Sequence, residues 1–212
     1  MGNKLVKAYQ DYVANAIKTP QIAELVLAVC KAGVDLNATE AASSSGKYHP
    51  IADLGEGGLV RHSIMVAEIA GILMRSRPLY DNEVDHDIVI ASALLHDVCK
   101  YEQPAAGEKI HSNFDHPVKA AELVIRVSEK MQEKAKEGEN FIAAGRRIAT
   151  NISTHMSRWN TSPYAPGIEL PLISNEEQRI ISDADLVAAS AQLPELMISF
   201  REEAIKKMSG RK

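Results

Sequence analysis

Six ionisable side chains in this 212-residue chain fall on apolar stripes and are of types that hold divalent metal ions: His62, His96, Asp97, His116, His155 and Asp185. The densest point is the adjacent pair His96-Asp97, inside Ile90-Ala-Ser-Ala-Leu-Leu-His-Asp-Val-Cys-Lys100. That run is mostly apolar, with Ile88, Ser92, Leu95 and Cys99 on one helical face. Neighbours on a helix diverge by about 100°, so both can serve one site only if it lies between their directions. A pair of metal ions is such a site, because a carboxylate can bridge two ions while the adjacent imidazole binds one. Burying a carboxylate alone is unfavourable, and a bound cation removes most of that penalty. The plain alternative for the dipeptide alone is a histidine at a helix end beside a solvated aspartate.

The other four candidates shift that balance. His62 lies on the stripe Leu59, His62, Val66, Ile69, Leu73. His116 opens a segment backed by Ala120, Leu123, Val124 and Val127. His155 aligns with Phe141, Ile148 and Ile152, and Asp185 shares a face with Ile181 and Ala188. Asp183 competes with Asp185 but points about 200° away on a helix. Any one of these alone is ordinarily a hydrogen-bonded core group. Together they come from different helices, as a site in a bundle core requires. One ion would take His62, His96, Asp97 and Asp185; the other would take His116, His155 and the second oxygen of Asp97. Such a mixed nitrogen and oxygen set suits iron, manganese, cobalt, nickel or zinc better than calcium or a lone magnesium. His86 falls in an acidic run, and His49 and His111 fall in loops. All three are expected in solvent, although the two loop histidines could also reach substrate.

The elements that must position these residues are helices. Lys4 to Lys18 is amphipathic, Thr19-Pro20 stops it and starts a second helix to Ala32, and Gly33 ends that one. Leu59 to Arg75, Asp85 to Lys100, a segment from His116, Phe141 to His155, and Asn175 to Ser190 follow. Asp115 is expected to cap the helix of His116, with Pro117 in its first turn, and Asn175 to cap the helix of Asp185. Pro194 opens a last helix to about Met208. Residues 42–46 form a flexible loop, and 36–58 a lid or rim. Residues 101–113 and the Pro-rich stretch 159–171 are loops. No convincing strand run appears. The expected fold is all-α, a single-domain bundle of seven or eight helices. N-terminal helices and loop take up 1–46, a core 47–192, and a C-terminal helix and tail 193–212.

Composition bounds the function. Charged residues make up 25% and the formal net charge is −4, which argues against a stable complex with double-stranded nucleic acid. Aromatics are 5%, too few for a single-strand stacking platform. No stretch approaches the roughly 20 apolar residues of a membrane span, and Met-Gly-Asn-Lys-Leu-Val-Lys lacks the apolar core of a signal peptide. Cys30 and Cys99 are far apart and form no CxxC pair, so a reducing, cytoplasmic compartment is the expectation. The amphipathic first helices can dock on the core or on a second chain, leaving a homodimer open.

The order His62, His96-Asp97, Asp185 resembles the HD-domain superfamily of metal-dependent phosphohydrolases. Gly57-Gly-Leu-Val-Arg-His-Ser63 resembles the first-histidine motif of that family, and His96-Asp-Val-Cys-Lys100 its HDxxK-type core. Ile181-Ser-Asp-Ala-Asp-Leu-Val-Ala-Ala-Ser190 resembles its terminal Ala-Asp motif, with Asp185 as ligand. The resemblance covers about residues 47 to 190. His116 and His155 match positions used by the two-metal members. Met156 follows His155 and no Gly-Tyr-Pro signature appears, which counts against the cyclic-dinucleotide phosphodiesterase branch. The mononuclear nucleotidases lack the extra histidines.

The resemblance implies hydrolysis of phosphate mono- or diesters, most of all of nucleotides or short oligonucleotides. Two adjacent divalent ions lower the pKa of a shared water toward neutrality and neutralise the equatorial phosphoryl oxygens. Asp97 would bridge them, Lys100 would reach a phosphate oxygen, and Arg61, with Lys47 and Arg158 behind it, would be a weaker phosphate contact. Lys100 as a plain cation at a helix C-terminus stands beside this role. Trp159 can stack on a base or simply pack. Two alternatives remain open: the same ligands resemble the di-iron inositol oxygenase branch, and the domain can be a non-catalytic, metal-stabilised regulator.

Overall fold

The computed structural model describes residues 2–33, 42, 49–76, 84–101 and 112–190. Within them the chain is all-helical: α1 (Gly2–Ala16), α2 (Pro20–Gly33), α3 (Gly58–Ser76), α4 (His86–Leu95), α5 (His116–Gln132), α6 (Phe141–Ser153) and α7 (Glu176–Ala188), with 3₁₀ turns at Ile51–Asp53 and Ser157–Trp159. Among the described residues there is no strand, only isolated bridges between Tyr101 and Ser112 and between Thr161 and Glu169. Lys47, most of the 42–46 loop, His111, the helix from Pro194 and both domain boundaries lie outside the described residues.

The fold is built around α4. Every residue from Asp87 to Leu95 is buried, because this helix is apolar on all sides and packs against α2, α3, α6 and α7. A helix without a polar face must be surrounded. Its start is fixed by Asp85, whose carboxylate accepts from the amides of Asp87 (3.0 Å) and Ile88 (3.2 Å). The side chain of Asp87 then reaches outward and accepts from the amides of Lys18 (3.0 Å) and Thr19 (2.7 Å), which tethers the α1–α2 turn.

The first helices dock on the core of their own chain. Tyr9, Val13 and Ile17 of α1 are buried. The Tyr9 hydroxyl donates to the carbonyl of Leu94 (3.3 Å) and accepts from the Cys30 thiol (3.2 Å). Burial pushes the Cys30 thiol up to about 12, so it is a packing residue rather than a nucleophile.

At two helix starts the local chemistry differs from expectation in one case and matches it in the other. Asp115 flanks α5 but makes no side-chain cap; its carboxylate pairs instead with Lys119, one turn on, at 3.1 Å. Asn175 opens α7 with a full capping box, its side chain accepting from the amide of Gln178 and the Gln178 side chain reaching back. α4 is shorter than the apolar run implies. It ends at Leu95, and His96 to Cys99 continue as turns closed by Val98 N to Leu95 O (3.1 Å), with Lys100 N to Asp97 O (2.9 Å) closing the next.

Candidate metal centre

Three of the six candidate ligands sit just past helix C-termini and one opens a helix. His96 and Asp97 follow α4, His155 follows α6 by two residues, and His116 is the first residue of α5. His62 and Asp185 project from within α3 and α7. All four imidazoles and Asp97 are buried, and Asp185 is partly so.

The six converge. Asp185 Oδ1 lies 3.0 Å from His62 Nε2 and 3.6 Å from His96 Nε2. Asp97 turns its two oxygens in different directions. Oδ2 lies 3.4 Å from His96 Nε2 and 3.9 Å from His62 Nε2, whereas Oδ1 lies 3.0 Å from His116 Nε2 and 3.7 Å from His155 Nε2. His116 and His155 meet Nε2 to Nε2 at 3.2 Å. His62, His96 and Asp185 form one group with donor atoms close enough to share an ion, and His96, Asp97 and His155 form a second.

Three histidines are oriented by the same local device. The Nδ1 of His96 lies 2.7 Å from the Ala93 carbonyl, that of His116 2.6 Å from Asn113, and that of His155 2.9 Å from Ile152. A carbonyl only accepts, so each Nδ1 donates. The Nε2 of each ring is thereby turned toward the centre, the nitrogen through which a metal would be bound.

Electrostatics agree with a site built for positive charge. Burial pulls the His96 imidazole down, but the carboxylates of Asp97 and Asp185 outweigh it and raise its pKa to about 10. Burial would raise Asp97, yet the charges of Lys100 and His96 hold it well below the usual carboxylate range. Burial, then the charges of His96 and His116, push His155 down to about 3. Among the described residues the buried Nε2 of His96 has no hydrogen-bond partner. Four imidazole nitrogens, this one among them, and two carboxylates fit divalent transition metals.

The two cations assigned to substrate differ in their duties. Lys100 Nζ lies 2.5 Å from Asp97 Oδ2, within the centre. Arg61 donates to the carbonyls of Glu56 (2.9 Å) and Leu54 (3.4 Å) and so holds the turn before α3. Trp159 and Arg158 are exposed in the 3₁₀ turn after His155.

One histidine departs from expectation. His49 is not a solvated loop residue. Its ring packs edge-on against His62, with centroids 4.8 Å apart, and both of its nitrogens are buried without a hydrogen-bond partner among the described residues. Burial, followed by the charges of His62 and Lys100, pushes it down to about 4. Asp53 was also not singled out by sequence, yet it is buried and its Oδ2 lies 3.6 Å from His62 Nδ1. Neither lies on a helical stripe, so periodicity carries no signal for them. His86 is half exposed as expected and stands 3.1 Å from the Asp87 carboxylate.

Fold and site together define an all-helical protein with a buried histidine–aspartate centre able to take divalent metal ions. The family model described as the HD domain matches residues 59–190, and the chain belongs to this family. The match spans His62 through Asp185 and therefore every residue of the six. No curated protein and no solved structure matches the chain. Among the described residues no helix is long and apolar enough to cross a membrane.

Proposed function

We propose that this protein is a metal-dependent phosphohydrolase that cleaves phosphate mono- or diesters, with nucleotides or short oligonucleotides as its substrate class. The observation that carries this reading is the division of Asp97, with one oxygen toward His62 and His96 and the other toward His116 and His155. A carboxylate between two imidazole pairs is the arrangement a two-ion centre needs. His62, His96, Asp97 and Asp185 would hold one ion, and Asp97, His116 and His155 the other. Bound there, the ions supply a water of lowered pKa and positive charge for the phosphoryl oxygens.

The chain's own groups do the rest. The Nδ1 donors of His96, His116 and His155 hold three of the four imidazoles in orientation before any ion binds. Burial of the centre keeps competing water away and strengthens its electrostatics. Lys100 is the substrate-facing cation we assign, since its ammonium stands at Asp97 and its side chain keeps some exposure. The hydrogen bonds of Arg61 to the 54–57 turn leave it second to Lys100 in that role.

The test is phosphate release from a panel of nucleotides, dinucleotides and simple phosphodiesters, with manganese, cobalt, nickel or iron added and Asp97→Ala as control. Turnover that disappears in the variant supports the hydrolase and names its substrate. A protein that holds two ions and releases no phosphate from any member of the panel overturns it. Oxygen uptake with bound iron would then identify an oxygenase, and no turnover of either kind a regulatory domain.

A further inference from the structure

Among the four histidines of the centre, His62 is oriented differently. The Nδ1 atoms of His96, His116 and His155 each meet the backbone carbonyl three residues earlier. At His62 that position is Leu59, whose carbonyl instead accepts from the Ser63 hydroxyl at 3.0 Å. His62 is fully buried inside α3, and among the described residues its Nδ1 has no hydrogen-bond partner. The group that faces this nitrogen is a side chain: Asp53 Oδ2, 3.6 Å away, itself buried and without a hydrogen bond. This separation is about 0.5 Å beyond an ordinary hydrogen bond. Among the described residues these are two buried, complementary atoms that lack a hydrogen bond and face each other.

Asp53 is not placed there casually. It ends the 3₁₀ turn Ile51–Asp53, with its amide bonded to the Pro50 carbonyl (2.9 Å) and its carbonyl accepting from Ala42 (2.9 Å). That carbonyl lies so close to α3 that a Cβ on Gly58 would come within 1.9 Å of it. Only glycine at 58 lets the turn press against the helix start. Arg61 ties the next residues, Leu54 and Glu56, to the same helix. Turn, glycine and arginine together hold a carboxylate behind His62.

We infer that Asp53 is the positioning residue of the metal ligand His62, acting as the carboxylate of a carboxylate–histidine–metal relay. It fixes His62 with Nδ1 protonated and Nε2 turned toward Asp185, and it makes that imidazole a stronger donor than its three carbonyl-bonded counterparts. Such outer partners usually alter metal affinity by about 10- to 100-fold. Asp53 lies outside residues 59–190 matched by the family model. The inference rests on the two-ion reading above.

The experiment is cobalt binding to metal-free protein, read by visible absorption and by competition with a chelator, in the parent, Asp53→Ala and Asp53→Asn. The parent is expected to bind two ions. Asp53→Ala is expected to lose affinity for one of them by about 10- to 100-fold while holding the other. Asp53→Asn, which keeps an acceptor oxygen but not the charge, is expected to fall between. Circular dichroism of the metal-free proteins reports folding, and if Asp53→Ala does not fold, Asp53→Asn decides. Parental affinity at both ions in a folded variant overturns the assignment, as does an equal loss at both. Binding is read without substrate, so absent phosphate release in a parent that binds cobalt would sink the hydrolase and leave Asp53 standing. A parent that binds no cobalt overturns both.

Discussion

Gly145 of α6 lies so close to Ser128 of α5 that a Cβ on it would stand 2.4 Å from both Cβ and Oγ of the serine. These two helices deliver His116 and His155 to the centre, one at the start of α5 and one just after α6. The close approach sets the spacing of their axes. A methyl group there cannot be absorbed by a flexible tip, because the atoms it meets are at the root of a short side chain. Gly145→Ala is therefore expected to destabilise by about 1–3 kcal/mol, read by chemical denaturation. Adding Ser128→Gly is expected to restore part of that loss, and an additive double variant would show that the contact is not the cause.

Asp97→Ala is expected to abolish binding of at least one metal ion and all turnover, because both imidazole pairs share its oxygens. Metal content by elemental analysis after gel filtration checks this. Retention of two ions per chain in the variant would show that Asp97 does not link the two halves of the centre.

Lys100→Gln is expected to keep both ions and to lower kcat/KM by about 100-fold. Steady-state kinetics with the substrate found in the panel, beside metal analysis, separates the two effects. Loss of metal together with activity would assign Lys100 to holding Asp97 rather than to the phosphate.

Asp87 gives stability a pH dependence whose sign follows from its surroundings. Burial would raise its pKa, but the Thr19 side chain and His86, together with the amides of Thr19 and Lys18, outweigh burial and lower it. A carboxyl with a depressed folded pKa contributes stability that is complete above its unfolded pKa, near 4, and is lost as pH falls through the folded value. Asp87→Asn is expected to be less stable at pH 7 by about 1–3 kcal/mol. The gap to the parent should narrow steadily below about pH 4. Denaturation curves across pH 3 to 7 read the gap, and a constant difference would rule out this linkage.

Glu177 joins three elements near the start of α7. Its Oε1 accepts from the Asp85 amide (2.8 Å) and Arg147 Nη2 (2.6 Å), and its Oε2 from Asn151 (2.9 Å) and Arg147 Nε (3.0 Å). The carboxylate is buried, whereas Arg147 is nearly half exposed, so solvent weakens the ionic part. Glu177→Ala is expected to destabilise by about 2–3 kcal/mol, mostly through the buried amides left without an acceptor. A melting temperature equal to the parent's would contradict this.

The helical class is legible in the pattern of residues alone, because apolar residues recur at helical spacing from Leu5 to Ala188 and no alternating run competes. The six residues that converge were also legible as candidates, since an ionisable group on an apolar stripe is conspicuous whatever packs against it. The match to the HD domain spans all six positions. Helix ends were less legible. The run through Cys99 keeps its apolar pattern while the backbone leaves the helix at Leu95, because a pattern records burial and not hydrogen bonding. Asp115 has the right type for a cap but is drawn to Lys119 instead.

Which Asp97 oxygen faces which imidazoles is not legible in that pattern, because side-chain direction across four elements is set by packing. The tertiary structure alone brought His49 and Asp53 to His62, from a segment with no periodicity at all. Those contacts depend on a 3₁₀ turn pressed against a glycine at 58, a relation between distant surfaces that no local spacing encodes.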